Sequence, residues 1–542
     1  MGQKHTLIEL NNLSREELIT IVLTMQGQLD TLNANIETLI EQVRIANQHR
    51  FGRHTETMES IDGQLSFFDE AESLYDESAP EPDVDEVLPV KKKKAKTKGQ
   101  RELDLKDFPE DIIPVHSVST EKLDAFYGKG NWKRMPDETY KRLRHEPESW
   151  TVEVHTVEVY VGTDGDHQDE FMRGDRPKDL LRNSIVTPSL LASILNVKYV
   201  NSSALHRVEQ EFERNGVNIS RQTMSNWIIR CSDRYFTPLW DRMKKELLKL
   251  PVTQSDETPT QVIHDGKHPG SKSYMWVHRS GEFFHENPIV LYEYQTGRSH
   301  GFPLEFYRDY KGVLVTDSLS QYHLVEKKLD GLRNANCWAH ARRDFADAVK
   351  AMEKKDTNAV RRSVAYQALS RIGQIYKLDE ALKDLPTEKR LQERQENIRP
   401  LVEEYFTWIK KQLAENTVPP KSKTADGLKY SVNQEKYLKV FLEDGDVPID
   451  NSASERSIKT FCLGKKNWMF HNTVNGAQAS AVIYSISETA KLNELRPYYY
   501  FKHLLTELPK LCDEAGNIDC KKLDALLPWS KELPEECRKP RR

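Results

Sequence analysis

The sequence predicts a multidomain α/β protein, and three observations carry the prediction. Apolar residues recur every seven positions near the start; an acidic, proline-bearing stretch and a lysine run follow; beyond residue 250, β-branched runs of strand length alternate with helical periodicity. At 542 residues the chain exceeds what one core organises, and roughly three or four domains are expected. Hydrophobic residues make up 37% and charged residues 30%, the balance of a globular protein. No apolar run reaches the length of about 18 residues that a membrane helix needs, and the opening MGQKHTLIEL lacks the pattern of a secretory signal. The formal net charge of -5 supplies no bulk field for nucleic acid, so DNA binding must rest on local patches. Six cysteines without a Cys-x-x-Cys pair predict neither a disulfide framework nor zinc, and fit a reducing cytosol.

Residues 1–57 read as a coiled-coil arm. Leu18, Met25, Leu32, Leu39 and Ala46 stand seven apart, and Val22, Leu29, Ile36 and Val43 follow the first four by four residues. This predicts self-association as a dimer; the alternative is an amphipathic helix packed on its own body, which would favour a period of 3.6 over 3.5. Residues 58–103, with DEAESLYDESAPEPDVDEVLP and KKKKAKTKGQ, carry too little apolar surface to fold and read as a linker. Residues 104–180 contain the alternating WTVEVHTVEVYVG and read as a small β module. Its histidines His116, His145, His155 and His167 have no cysteine partners and are read as surface residues.

Residues 181–250 read as a helix-turn-helix region. Thr187 with Pro188 starts a helix, Gly216 breaks one, and Ser220 caps the next, which would display Arg221, Gln222 and Asn226 to the major groove. Ten Lys and Arg against six Asp and Glu between Lys198 and Lys249 make this region locally basic. An ordinary helical hairpin is the competing reading.

Strand-like runs follow. LPVTQSDETPTQV carries Asp256, SYMWVHRS and PIVLYEYQ read as neighbouring strands, and KGVLVTDSLSQYH reads as a strand buried on both faces that ends at Asp317. NANCWAHARRDFADAVK passes into an amphipathic helix with His340, Arg342 and Arg343, read as phosphate contacts or as a solvated basic face. Cys337 and Cys462 look like small buried apolar groups, and Trp338 and Trp468 like core residues. After about a hundred helix-rich residues comes DNSASERSIKTFCLGKKNWMF, which sets Glu455 among Arg456, Lys459, Lys465 and Lys466. Alone, Glu455 and Lys459 would be a solvated helix pair. With Asp256 and Asp317, Glu455 forms a carboxylate set that would repel itself unless divalent cations were held between its members. Two Mg²⁺ or Mn²⁺ ions would satisfy it and activate a water or 3′-hydroxyl against a phosphodiester, with the basic neighbours on DNA phosphates.

The segments SDETPTQV, VTDSLSQY, CWAHARRDF and IDNSASERSIKTFCLGKKNWMF, with GAQASAVIYSISETAKLNELRPYYYFKHLL, closely resemble the bacterial transposases of insertion-sequence family sixty-six, within the DDE superfamily. The resemblance runs from about residue 104 to 510, and the HRFGRHTE and LLPW segments outside it are similar to that family's ends. It implies an RNase H-like catalytic core at 251–345 and 450–508, a helical insertion at 346–449, a tail at 509–542, and Asp256, Asp317 and Glu455 as catalytic metal ligands. The partners implied are double-stranded DNA at transposon ends and target, further copies of the chain, and accessory proteins of the same element, in a bacterial cytoplasm at the nucleoid. The family's four-cysteine zinc module has no counterpart, since no cysteine precedes Cys231, and Glu257 stands where members tend to carry a second aspartate. Glu488 competes with Glu455 for the third ligand position. Two readings stay open beside a transposase: a catalytically silent dimeric DNA-binding regulator, and a host nuclease without need of the arm.

Overall fold

The structure is a computed structural model that describes residues 14–51, 150, 159–161, 171–173, 180–181, 184–268, 271–352, 357–513 and 518–540. The linker at 58–103 and most of the expected β module lie outside these residues.

Helix α1 (Arg15–Phe51) runs 37 residues, about 55 Å at the usual rise. A reciprocal cap starts it: the Ser14 amide donates to Glu17 Oε2 at 2.8 Å, and the Glu17 amide donates to Ser14 Oγ at 3.3 Å. Heptad positions Val22, Leu29 and Leu39 are exposed at 53%, 54% and 60%, whereas further along the helix Arg44 Nη1 donates to the Ala351 carbonyl at 3.5 Å. Strands β1 (Val159–Val161) and β2 (Phe171–Arg173) pair antiparallel, with Tyr160 opposite Met172.

The described residues from Leu180 to Arg538, together with α1, form a separate compact unit. It begins with helices α2 (Pro188–Leu195), α3 (Leu205–Arg214), α4 (Arg221–Cys231) and α5 (Thr237–Leu247). Thr187 Oγ1 accepts from the Leu190 amide and Ser220 Oγ from the Thr223 amide, both at 3.2 Å, so both expected caps form. Gly216, at φ +77°, makes the turn between α3 and α4 in a backbone region that favours glycine.

Strands β3 (Val252–Thr260), β4 (Val262–His264), β5 (Ser273–Ser280), β6 (Val290–Gln295), β7 (Gly312–Thr316) and β8 (Leu332–Asn336) follow, with helix α6 (Gly301–Phe306) before β7 and α7 (Ser320–Lys328) after it. Five of the strands form a mixed sheet in the order β6-β5-β3-β7-β8. The pairs β3–β5 and β5–β6 are antiparallel, whereas β3–β7 and β7–β8 are parallel. Strand β8 escapes sequence reading because LRNAN looks polar; Asn334 is nevertheless fully buried, and its side chain donates to Thr316 Oγ1 at 2.9 Å.

Helix α8 (Trp338–Ala351) leads into α9 (Thr357–Arg362), α10 (Val364–Glu380), α11 (Thr387–Glu393), α12 (Arg399–Ala414) and α13 (Lys423–Leu438). These helices build a second apolar cluster around Trp338, Phe345, Ile372 and Phe406. Trp338 is a core residue, as expected, and its Nε1 donates to the Leu438 carbonyl at 2.7 Å. The chain then returns to the sheet through α14 (Ser452–Trp468), β9 (His471–Thr473), α15 (Val474–Leu492) and α16 (Pro497–Leu511). Helix α15 explains the run of small hydroxyl residues in YSISET. The Tyr292 amide donates to Ser485 Oγ at 2.7 Å and the Val290 amide to Thr489 Oγ1 at 3.0 Å, so side-chain hydroxyls satisfy the open edge of β6. Among the described residues no helix is long and apolar enough to cross a membrane.

Candidate active site

The site is built where β3 and β7 part. Their ladder pairs Val252 with Val313, Thr253 with Leu314 and Gln254 with Val315, and stops there. Carried on by two residues, the same register sets Asp256, in the middle of β3, beside Asp317, which directly follows the carboxyl end of β7, the end at which open α/β sheets hold their ligands. Strand β3 contains Pro259, which donates no backbone hydrogen bond; the ladder toward β7 has ended before it, so the central strand tolerates it.

Each aspartate is steadied by a main-chain amide: Glu257 N donates to Asp256 Oδ1 at 2.8 Å, and Leu319 N to Asp317 Oδ1 at 3.1 Å. Burial holds the Asp256 carboxyl well above its usual range, and Glu257, Asp317 and Glu455 push it further. Burial also raises Asp317, with Glu455 adding to the shift and the cations of Arg298 and Arg343 opposing it. Glu455 therefore lies within electrostatic reach of both aspartates despite its distance along the chain.

Asn451 delivers it. The side chain of this buried residue donates from Nδ2 to the Ser255 carbonyl at 2.8 Å and accepts from Gln254 Nε2 at 3.2 Å, clamping the start of α14 to β3 beside Asp256. Glu455 stands in the first turn of α14. Its carboxylate also lies with Cys337 and His340, one ligand atom of each within 4.8 Å of the others.

Glu257 faces a different environment. Its Oε1 accepts from Arg298 Nε at 2.6 Å and its Oε2 from the Tyr322 hydroxyl at 2.7 Å. Arg298 Nη2 reaches Asp317 Oδ2 at 3.9 Å, so one guanidinium bridges two acidic groups of the site. Glu488 pairs with Lys491 at 2.5 Å and accepts from Thr460 Oγ1 at 3.4 Å. Neither contact belongs to the aspartate pair.

The basic residues divide. Arg343 is exposed and acts on Asp317, whereas Arg342 is half-buried and acts on Tyr376. His340 is half-buried, and burial with the charge of Arg343 lowers its pKa to about 4. On α14, Arg456 pairs with Glu282 at 2.8 Å, Lys465 donates to the Pro259 carbonyl, Lys459 is half-buried and Lys466 is exposed. On α4, Arg221, Gln222 and Asn226 are all exposed, and Arg221 meets Glu209 at 3.9 Å. Sequence reasoning missed Asn451, Arg298 and the meeting of Cys337 with His340; only the Cys-x-x-His spacing in CWAH signalled any of these.

Fold and site define an α/β protein with acidic groups gathered where two parallel strands part, Asp256 within β3 and Asp317 just after β7. Residues 183–479 match the Transposase IS66 family, residues 485–529 the IS66 C-terminal element, and residues 38–113 the family described as transposase C of IS166 homeodomain. The chain belongs to the IS66 transposase family. It is similar to two uncharacterized proteins of Sinorhizobium fredii, y4qI and y4jD. The first is 25% identical over 373 residues, covering 67% of this chain and 66% of the relative; the second is 27% identical over 369 residues, covering 66% and 69%. The chain thus spans about two thirds of the length of these relatives.

Proposed function

We propose that this protein is a metal-dependent DNA transposase that binds transposon ends, cleaves them, and joins the freed 3′-hydroxyls to target DNA. The observation that carries the reading is the register setting Asp256 beside Asp317, with Glu455 drawn toward both by the Asn451 clamp. Burial raises both aspartate carboxyls and neighbouring carboxylates add to it, and hard divalent cations held between them would offset both effects. Asp256, Asp317 and Glu455 would hold two Mg²⁺ or Mn²⁺ ions. Bound there, such ions supply an activated water or 3′-hydroxyl and stabilise the leaving oxygen.

The chain's own residues do the rest. Arg298 fixes Glu257 and steadies Asp317, keeping the floor of the site rigid. Arg343 supplies positive charge beside Asp317 for a phosphate, with His340 and Arg342 on the same helix turns. Arg456, Lys459, Lys465 and Lys466 line α14 and would lead a DNA strand past the carboxylates. Exposed Arg221, Gln222 and Asn226 suit α4 to a major groove. Counting only the five strands of the main sheet in chain order, their arrangement is 3-2-1-4-5, which supports an RNase H-like core split by the helices from α9 to α13. The exposed α1 seam supports self-association, which the pairing of two DNA ends requires.

The test is Mg²⁺- or Mn²⁺-dependent cleavage and joining of a labelled duplex carrying the element's terminal repeat. Asp256→Asn, Asp317→Asn and Glu455→Gln are expected to abolish chemistry while binding survives, and Glu488→Gln to remain active. A wild type that binds the repeat but never cuts it, with either metal and with accessory proteins supplied, would establish the silent DNA-binding regulator instead.

A further inference from the structure

Cys337, His340 and Glu455 meet where β8 passes into α8 and α14 begins. Among the described residues they are the one group of three His, Cys or acidic side chains whose ligand atoms all lie within 4.8 Å of one another. Cys337 precedes the first turn of α8 and His340 follows three residues later, so the Cys-x-x-His spacing puts both at one helix start. Glu455 arrives from the first turn of α14, so a second helix start faces the cluster.

The sulfur of Cys337 accepts from the Asn451 amide at 3.2 Å and from the His340 amide. Burial, with Asp450 and Glu455 adding to it, holds the thiol well above its ordinary range, and these two donors oppose that shift. One further observation points to a ligand. His340 Nδ1 is buried with no hydrogen-bond partner, an orphan polar atom on the ring that joins this cluster.

We propose that Cys337, His340 and Glu455 form a zinc-binding site, distinct in chemistry from the proposed Mg²⁺ pair. One thiolate, one imidazole and one carboxylate suit borderline-soft Zn²⁺, whereas Mg²⁺ takes oxygen ligands and would not use the sulfur. Three protein ligands leave the fourth tetrahedral position for water or a substrate oxygen. The inference deepens the proposed chemistry and rests on it in one respect: Glu455 is common to both sites, so zinc and the catalytic ions would be coupled through a single side chain. Zinc binding itself does not require that the protein cleave DNA.

The experiment uses untagged, full-length protein loaded with Zn²⁺ in excess Mg²⁺ and dialysed against metal-free buffer. About one zinc per chain is expected to stay bound, with one sulfur neighbour in its X-ray absorption spectrum. Replacement by Co²⁺ is expected to give a near-ultraviolet thiolate-to-metal band. The band should vanish in Cys337→Ser but persist in Cys462→Ser and in the Asp256→Asn/Asp317→Asn double variant. Loss of zinc on dialysis, a spectrum with only nitrogen and oxygen neighbours, or a band that survives in folded Cys337→Ser would overturn the site. The wild-type absorption measurement decides the question even if Cys337→Ser fails to fold. Because every readout is metal binding, a protein without DNA cleavage activity could still pass, and an active one could still fail.

Discussion

The side-chain amide of Asn451 donates to the main-chain carbonyl of Ser255 across 2.8 Å, joining residues 196 apart in the chain. This one contact places the start of α14 against the strand that carries Asp256. Asn451→Ala would remove the side-chain donor to the buried Ser255 carbonyl and leave Gln254 Nε2 only its longer 3.4 Å bond to the Asp450 carbonyl, at a cost of about 1–3 kcal/mol. A lower midpoint in urea is expected, with DNA cleavage reduced more than tenfold and DNA binding kept. Full cleavage by a folded Asn451→Ala protein would show that Glu455 needs no such clamp.

Arg394 and Asp379 form an ion pair inside the helical stretch. Arg394 Nε donates to Asp379 Oδ1 at 2.7 Å and Nη2 to Oδ2 at 3.2 Å, while Nη1 donates to the carbonyls of Phe441 at 3.0 Å and Val447 at 2.8 Å. Both side chains are buried. Arg394→Met removes the cation and strands the carboxylate, so a loss of about 3–5 kcal/mol is expected. Chemical denaturation checks it; a change below about 1 kcal/mol, within ordinary surface scatter, would contradict the buried-pair account.

His471 gives the fold an acid sensitivity. Burial, aided by Lys198 and Lys465, lowers its pKa to about 3 from an ordinary value near 6.5. Because the folded value is depressed, the unfolded chain binds the extra proton first. The neutral ring's contribution is complete above pH about 6.5 and is lost as pH falls toward the folded value, about 2 kcal/mol of it by pH 5. His471→Leu alters packing, so the decisive comparison is the slope of melting temperature against pH between 5 and 7. That slope should flatten in the variant; equal slopes would place the acid sensitivity elsewhere.

Helix α1 presents Val22, Met25, Leu29, Leu32 and Ile36 to solvent along one seam. If a second copy covers it, Leu29→Asp with Leu32→Asp should convert an oligomer to a monomer without unfolding the remaining chain. Light scattering after size exclusion reads the mass directly. A wild type already monomeric at tens of micromolar would refute the coiled-coil arm.

Much of this architecture was legible in the amino-acid order. The heptad announced α1, the caps at Thr187 and Ser220 announced α2 and α4, and SYMWVHRS coincides with β5. The sequence pattern puts Asp256 on a strand and Asp317 at the end of one; Asp256 lies within β3 and Asp317 directly follows β7. Strand β8 was not legible, because Asn334 and Asn336 imitate a loop until a parallel neighbour buries them. In sequence Cys337 looks like a small buried apolar group, since nothing local reveals that Glu455 lies beside it.

The sequence by itself determined the helical arm, most of the strands and helices, and which acidic side chains were available, because periodicity, capping and β-branching act over a few residues. The tertiary structure decided which of those side chains meet. The register of β3 on β7 aligns Asp256 with Asp317, a slip of one residue would turn one of them to the opposite face, and the Asn451 clamp holds the start of the helix that carries Glu455 against β3, within electrostatic reach of both. Register and clamp are packing choices made between distant segments, and no local pattern in either segment encodes them.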